Sequence, residues 1–160
     1  QNPALYNSFG VFRSNMMSLV AADGGMDFYD GHLRARSESG EILFDNVDYR
    51  TYSQHIHEEV KPWSYMKFPF LTALGAEKGW YKVGPLARVQ NCDQIPTPFA
   101  ETERRELVDY SGGIPMHAPL AYHWARMIEM LHAAETTGVA PRPEVATEDD
   151  SEPVPAQICS

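Results

Sequence analysis

The run at residues 63–93, WSYMKFPFLTALGAEKGWYKVGPLARVQNCD, constrains the chain more than any other. Trp63, Tyr65, Phe68 and Phe70 precede its first glycine, and Trp80-Tyr81 follow. Residues 63–70 form an apolar, aromatic segment interrupted by one cation, Lys67, and stopped by Pro69. Residues 80–83 read as a second, short strand. Gly84-Pro85 forces a turn, because glycine is conformationally permissive and proline fixes φ. Leu86-Ala87-Arg88-Val89 then either opens a helix or crosses a buried surface with one charge pointing inward. A buried arginine must be paired, so Arg88 is a structural ion-pair member or a ligand contact. Composition alone makes the whole run a hydrophobic core segment with a tight turn.

Upstream, short strands alternate with turn signals. Residues 16–22 are strand-like, Asp23-Gly24-Gly25 is a turn, and residues 26–29 alternate apolar and polar. Asp30-Gly31 signals a hairpin, since a type I′ turn needs positive φ at its centre. His32-Leu33-Arg34-Ala35-Arg36 alternates again, and residues 38–41 turn into Ile42-Leu43-Phe44. The pattern predicts an antiparallel meander of three or four strands over residues 16–44. Asp48 can cap a helix over residues 49–60, with Tyr52, Ile56 and Val60 four residues apart on one face.

Downstream of the aromatic run, residues 95–98 are an extended connector. Residues 100–108 carry the mixed charges of a solvated helix. Ser111-Gly112-Gly113-Ile114-Pro115 breaks it. The clearest helix follows, over residues 119–135, with Leu120, Trp124, Met127, Ile128 and Leu131 as its apolar stripe and Gly138 as its stop. Residues 139–160 are acidic and Pro-rich and read as a linker or disordered tail. The expected class is α+β: a small antiparallel meander followed by helices, in one domain at residues 1–138.

With 160 residues the chain can bury a real core. Its 13 basic residues against 22 acidic ones, net −9, argue against nucleic acid or an anionic membrane as the main partner. No apolar run approaches the length of a membrane span. Gln1 opens no signal-peptide pattern, and the missing initiator Met hints at a processed or excised chain. Cys92 and Cys159 are far apart and neither belongs to a CxxC pair, so a reducing cytoplasm is the default.

No phosphate loop, HExxH, G-x-S-x-G or CxxC is present. His55 and His57 would fall on different faces of a helix and read as solvated surface. His117 and His123 flank the start of the last helix and could approach one another, but a metal site needs further ligands with fixed geometry. The residues alone therefore yield no catalytic, cofactor-binding or metal-ligating candidate.

Taken as wording, GWYKVGPLARVQNCD at residues 79–93, preceded by WSYMKFPF at residues 63–70, resembles the large subunit of [NiFe] hydrogenases, a mostly helical fold. LVAADGGMDFYDGHLRARSESGEILFD at residues 19–45 and AYHWARMIEMLHAAE at residues 121–135 extend the resemblance, in one colinear order over about residues 11–137. The wording is most similar to the cytoplasmic NAD-reducing, bidirectional branch. The resemblance implies a hetero-oligomeric oxidoreductase that oxidises dihydrogen reversibly and reduces NAD. It also implies a nickel–iron centre with CO and cyanide ligands, a small subunit with an iron–sulfur cluster, and diaphorase subunits carrying FMN and NAD.

The chain departs from the family where the metal is held. The two CxxC pairs whose thiolates bind nickel and iron are missing, as is the Glu-Ala-Pro-Arg-Gly segment. No catalytic or metal residue carries over. What remains is a scaffold motif, Gly84, Pro85, Leu86, Ala87 and Arg88, with Lys67 as a second residue expected to support packing through ion pairs. The expected function is that of a central fragment of the large subunit, forming a scaffold around the active site. The alternatives are a non-catalytic hydrogenase-like interaction or scaffold protein without the metal centre, and a neighbouring branch that reduces a deazaflavin or serves a heterodisulfide reductase.

Overall fold

The computed structural model describes residues 8–138 and has the expected α+β class. Strands β1 (Asn15–Val20), β2 (His32–Arg36) and β3 (Ile42–Val47) pair antiparallel in chain order. A 3-10 turn at Tyr49–Gln54 leads to β4 (Ile56–Val60), which pairs antiparallel with β5 (Lys67–Leu71) in a separate two-stranded ribbon. After a second 3-10 turn at Thr72–Leu74 come helix α1 (Gly75–Lys78) and strand β6 (Tyr81–Lys82). Helices α2 (Pro85–Asn91), α3 (Pro98–Tyr110) and α4 (Ala121–Thr136) complete the order.

The main sheet is mixed rather than a pure meander. Its order is β3-β2-β1-β6, and β6 joins β1 in parallel, Asn15 opposite Tyr81. Asn15 anchors this closure: its side-chain amide donates to the carbonyls of Lys78 and Trp80 at 2.9 and 3.0 Å.

Strand alternation gives the sheet two faces. Met17 and Leu19 of β1, with Leu33 and Ala35 of β2, pack against Leu71, Ile56 and Phe44 on the ribbon side. The opposite face meets the helices, whose core is Leu86, Val89, Cys92, Ile95, Ala100, Leu107, Ala125 and Ile128.

Several expectations are corrected. The strand read at residues 26–29 does not form. Only Met26 makes an isolated bridge, to Val20, and the Asp27 carboxylate accepts the amides of Tyr29 and Asp30 in a side-chain-closed turn. Gly31 is needed for space, not for a left-handed turn: a Cβ there would sit 2.8 Å from the Val20 carbonyl oxygen, and its φ is not positive.

The helix expected over residues 49–60 is the 3-10 turn followed by β4. Asp48 does cap the turn, accepting from the Arg50 amide at 2.9 Å. Residues four apart share a face in a strand as in a helix, so the Tyr52, Ile56, Val60 spacing could not separate the two. Pairing of Ile56 with Leu71 and Val60 with Lys67 decides for a strand.

Pro69 does not stop the aromatic segment but lies within β5, opposite Glu58, where a two-stranded ribbon tolerates a missing N–H on its open edge. The first half of the aromatic run is not core: Trp63, Tyr65 and Met66 are exposed. In the last helix Met127 is exposed and leaves the predicted stripe, while Ala125 and Ile128 are buried. The tail expected at residues 139–160, including Cys159, lies outside the described residues.

Candidate functional site: the Gly84–Arg88 turn and helix α2

Helix α2 starts at the glycine–proline pair for two separable reasons. Gly84 has φ 87° and ψ −164°, a region that side chains with a Cβ rarely enter. Pro85 stands at the first helical position, where a missing N–H leaves no carbonyl unserved. The Arg88 amide then donates to the Gly84 carbonyl at 3.0 Å, closing the first turn. Leu86 and Ala87 are fully buried.

Arg88 turns away from them toward α4. Its Nε and Nη2 donate to the two carboxylate oxygens of Glu129 at 2.6 and 3.0 Å, a fork-to-fork pair. The guanidinium carbon also lies 5.3 Å from the centre of the Phe28 ring, within reach of a cation–π contact. A cavity of about 210 Å³ opens beside it, walled by Met17, Leu19, Phe28, Leu33, Gly84 and Arg88. Tyr122 of α4 donates its hydroxyl to the Val83 carbonyl at 3.3 Å, on the other side of the turn.

Lys67 does not join this arrangement. It lies exposed on β5 with its Nζ 2.7 Å from Glu58 Oε2. The hydrogen bond to Glu58, then the charge of that carboxylate, raise its pKa. Such a pair contributes little to stability.

The far end of α2 holds a network that the sequence reading missed. Arg34 is buried on the helix-facing side of β2, donates to both oxygens of Asp45 at 2.8 and 2.9 Å, and pairs with Asp93 at 2.9 Å. It also donates to the Asn91 carbonyl at 3.1 Å, at the negative end of α2. Asn91 is fully buried and returns its amide to Ser18 Oγ and to the Arg34 carbonyl. Hydrogen bonding to Asp45, against opposing burial, raises the pKa of Arg34 further. The signal was present in HLRAR: alternation puts Arg34 and Arg36 on one face, and a covered face must supply their acceptors.

The histidines stay apart from any ligand set. His117 is buried, with Nδ1 3.2 Å from Lys82 Nζ and Nε2 donating to the Glu38 carbonyl at 3.0 Å, whereas His123 is exposed. Burial lowers the pKa of His117 and of Lys82. His55 stands beside the Phe44 ring at 5.0 Å, and His57 is exposed on β4.

A nickel–iron centre needs clustered soft donors, and the described residues do not fit one. Among them no three His, Cys, Asp or Glu side chains are placed to hold a metal ion. Cys92, the buried residue that caps the C-terminus of α2, has its sulfur 3.5 Å from the Val89 carbonyl, and burial pushes its thiol up to about 12. That thiol packs as an apolar group.

No protein-family profile matches the chain. Comparison with individual proteins defines a class: the chain is similar to hydrogenase subunits. It is 40% identical over 132 residues to the NAD-reducing hydrogenase HoxS subunit beta of Cupriavidus necator, across 82% of this chain and 27% of the relative. It is 39% identical over 129 residues to a vhc subunit of the F420-non-reducing hydrogenase of Methanococcus voltae, across 80% of this chain and 27% of the relative. Among solved structures, a chain of NAD+-reducing [NiFe]-hydrogenase in the H2-reduced state superposes with a TM-score of 0.78 and 48% identity, across 84% of this chain and 30% of that one. The chain thus spans under a third of the length of these relatives.

These comparisons correct the expectation of a large subunit. The relatives carry other names: one is a HoxS subunit beta, one a vhc subunit, and a third, from Archaeoglobus profundus, an iron–sulfur subunit. Among the described residues no helix is long and apolar enough to cross a membrane.

Proposed function

We propose that the chain is a scaffold segment of one subunit of an NAD-reducing nickel–iron hydrogenase, a cytoplasmic oxidoreductase that oxidises dihydrogen reversibly. What supports the reading is the 48% identity and 0.78 TM-score over 84% of the chain against a chain of NAD+-reducing [NiFe]-hydrogenase. In this reading the Gly84–Arg88 turn holds α2 between the sheet and α4. The metal-bearing residues belong to the stretches of the relatives that this chain does not span. Further subunits of the complex carry the iron–sulfur clusters, FMN and NAD.

The test is a chimaera in which residues 8–138 replace the matching segment of the Cupriavidus necator subunit beta, assayed for hydrogen-dependent NAD+ reduction. Activity within about tenfold of the parent is expected. An assembled, folded chimaera without activity would sink the proposal, and would favour a hydrogenase-like protein that only binds partners.

A further inference from the structure

We propose that the tip of the β4–β5 ribbon is an aromatic anchor that seats in an apolar pocket formed by the part of the hydrogenase polypeptide outside this segment. The inference rests on the function proposed above and adds to it an interaction surface. Val60, Trp63 and Met66 are 69%, 74% and 70% exposed, and Tyr65 is fully exposed. Four large apolar groups within seven residues form a concentrated patch of the kind that marks a contact surface.

The tip is held in shape. Trp63 packs at 5.6 Å on the Phe68 ring, the Ser64 amide donates to the Lys61 carbonyl at 3.2 Å, and Ser64 Oγ accepts from the Met66 amide at 3.0 Å. At its base Ile56 and Leu71 pack onto the main sheet. The base is therefore fixed while the tip projects, and rigid aromatic side chains are the groups that carry binding energy when a pocket encloses them.

Charge and chain length say what the pocket belongs to. The cations of the ribbon are matched by its own acids, Lys67 by Glu58 and Lys61 by Glu59, so docking needs no charged surface opposite. A chain of net charge −9 is a poor match for an anionic bilayer. Most of the length of each relative lies outside the matched segment, since that segment spans 27% of the HoxS subunit beta and 30% of the solved chain. The same polypeptide is thus the nearest source of apolar surface, tethered at high effective concentration.

The experiment uses the chimaeric hydrogenase described above, with Tyr65 replaced by the photo-crosslinker p-benzoylphenylalanine, irradiated as the assembled enzyme and mapped by mass spectrometry. The expected product is a cross-link to the same polypeptide outside the segment. In parallel, hydroxyl-radical oxidation of Met66 is expected to fall at least fivefold between the 160-residue chain and the assembled enzyme. In an active enzyme, a cross-link to another subunit, to a second copy or to lipid overturns the anchor proposal. So does unchanged Met66 oxidation with no cross-link. A chimaera that assembles without activity overturns the function proposed above, and the anchor with it.

Discussion

Nε of Arg88 on α2 lies 2.6 Å from Oε1 of Glu129 on α4, and Nη2 lies 3.0 Å from Oε2, so the two helices share one planar, doubly hydrogen-bonded pair. The Glu129 side chain is only 11% exposed, and removal of its partner leaves a carboxylate with little water to replace it. Arg88→Ala is expected to destabilise the chain by about 2 kcal/mol, read as a lower urea midpoint. Arg88→Lys should recover less than half of that, because an ammonium cannot reproduce the fork. Placed in the chimaeric hydrogenase, Arg88→Ala should lower the yield of assembled enzyme and leave the KM for hydrogen unchanged.

Glu101, in the first turn of α3, makes a pH-sensitive contact. Burial pushes its carboxyl up. Hydrogen bonds from Arg104, Arg105 and the Ile95 amide outweigh that and bring it to about 2. A carboxylate depressed in the folded state contributes stability that is present above its unfolded value, near 4.5, and is lost as pH falls toward about 2. Glu101→Gln should therefore cost about 2 kcal/mol at pH 7 and much less at pH 3, the gap between wild type and variant closing in urea titrations.

Gly31 and Gly84 are both irreplaceable, for different reasons. A Cβ at Gly31 would meet the Val20 backbone at 2.8–2.9 Å, and that backbone is held at the end of β1 by its pairing with His32 and its bridge to Met26. A Cβ at Gly84 would meet only Tyr122 Cε1 at 3.8 Å, but the positive φ penalises any side chain there. Gly84→Ala should cost about 1–3 kcal/mol, and Gly31→Ala at least as much, both read as a fall in Tm.

Cys92 should resist modification. With the thiol pushed up to about 12 inside the helical core, its thiolate fraction at pH 8 is negligible. Iodoacetamide at pH 8 is expected to leave Cys92 unlabelled over an hour in the native chain and to label it fully in 6 M guanidinium, as read by peptide mass spectrometry.

Where sequence and structure agree, one physical signal had no competitor. Gly84-Pro85 could only be a turn into something, and the periodic apolar residues around Ala125 and Ile128 could only be a helix. Where they disagree, two readings shared a pattern. The spacing of Tyr52, Ile56 and Val60 satisfies a strand as well as a helix, and Gly31 is demanded by a neighbouring strand rather than by its own turn. The Arg88–Glu129 pair was legible from one side only: a charge inside an apolar run requires a partner, but nothing local singles out a residue 41 positions away. The Arg34 network was hidden for the same reason, since Asp93 and Asn91 reach β2 only once α2 is laid across the sheet.

The parallel pairing of β1 with β6 bears on how fast this fold can be reached. Strands β1 to β3 find one another through short connections, whereas Asn15 must wait for the Trp80 carbonyl, 65 residues on. Closing a loop of that length costs chain entropy before any contact repays it, and long-range pairings of this kind slow folding. During synthesis the β1 edge that Tyr81 and Lys82 later cover stays unpaired until Lys82 has left the ribosome, so the nascent chain passes through a stage with an open strand edge.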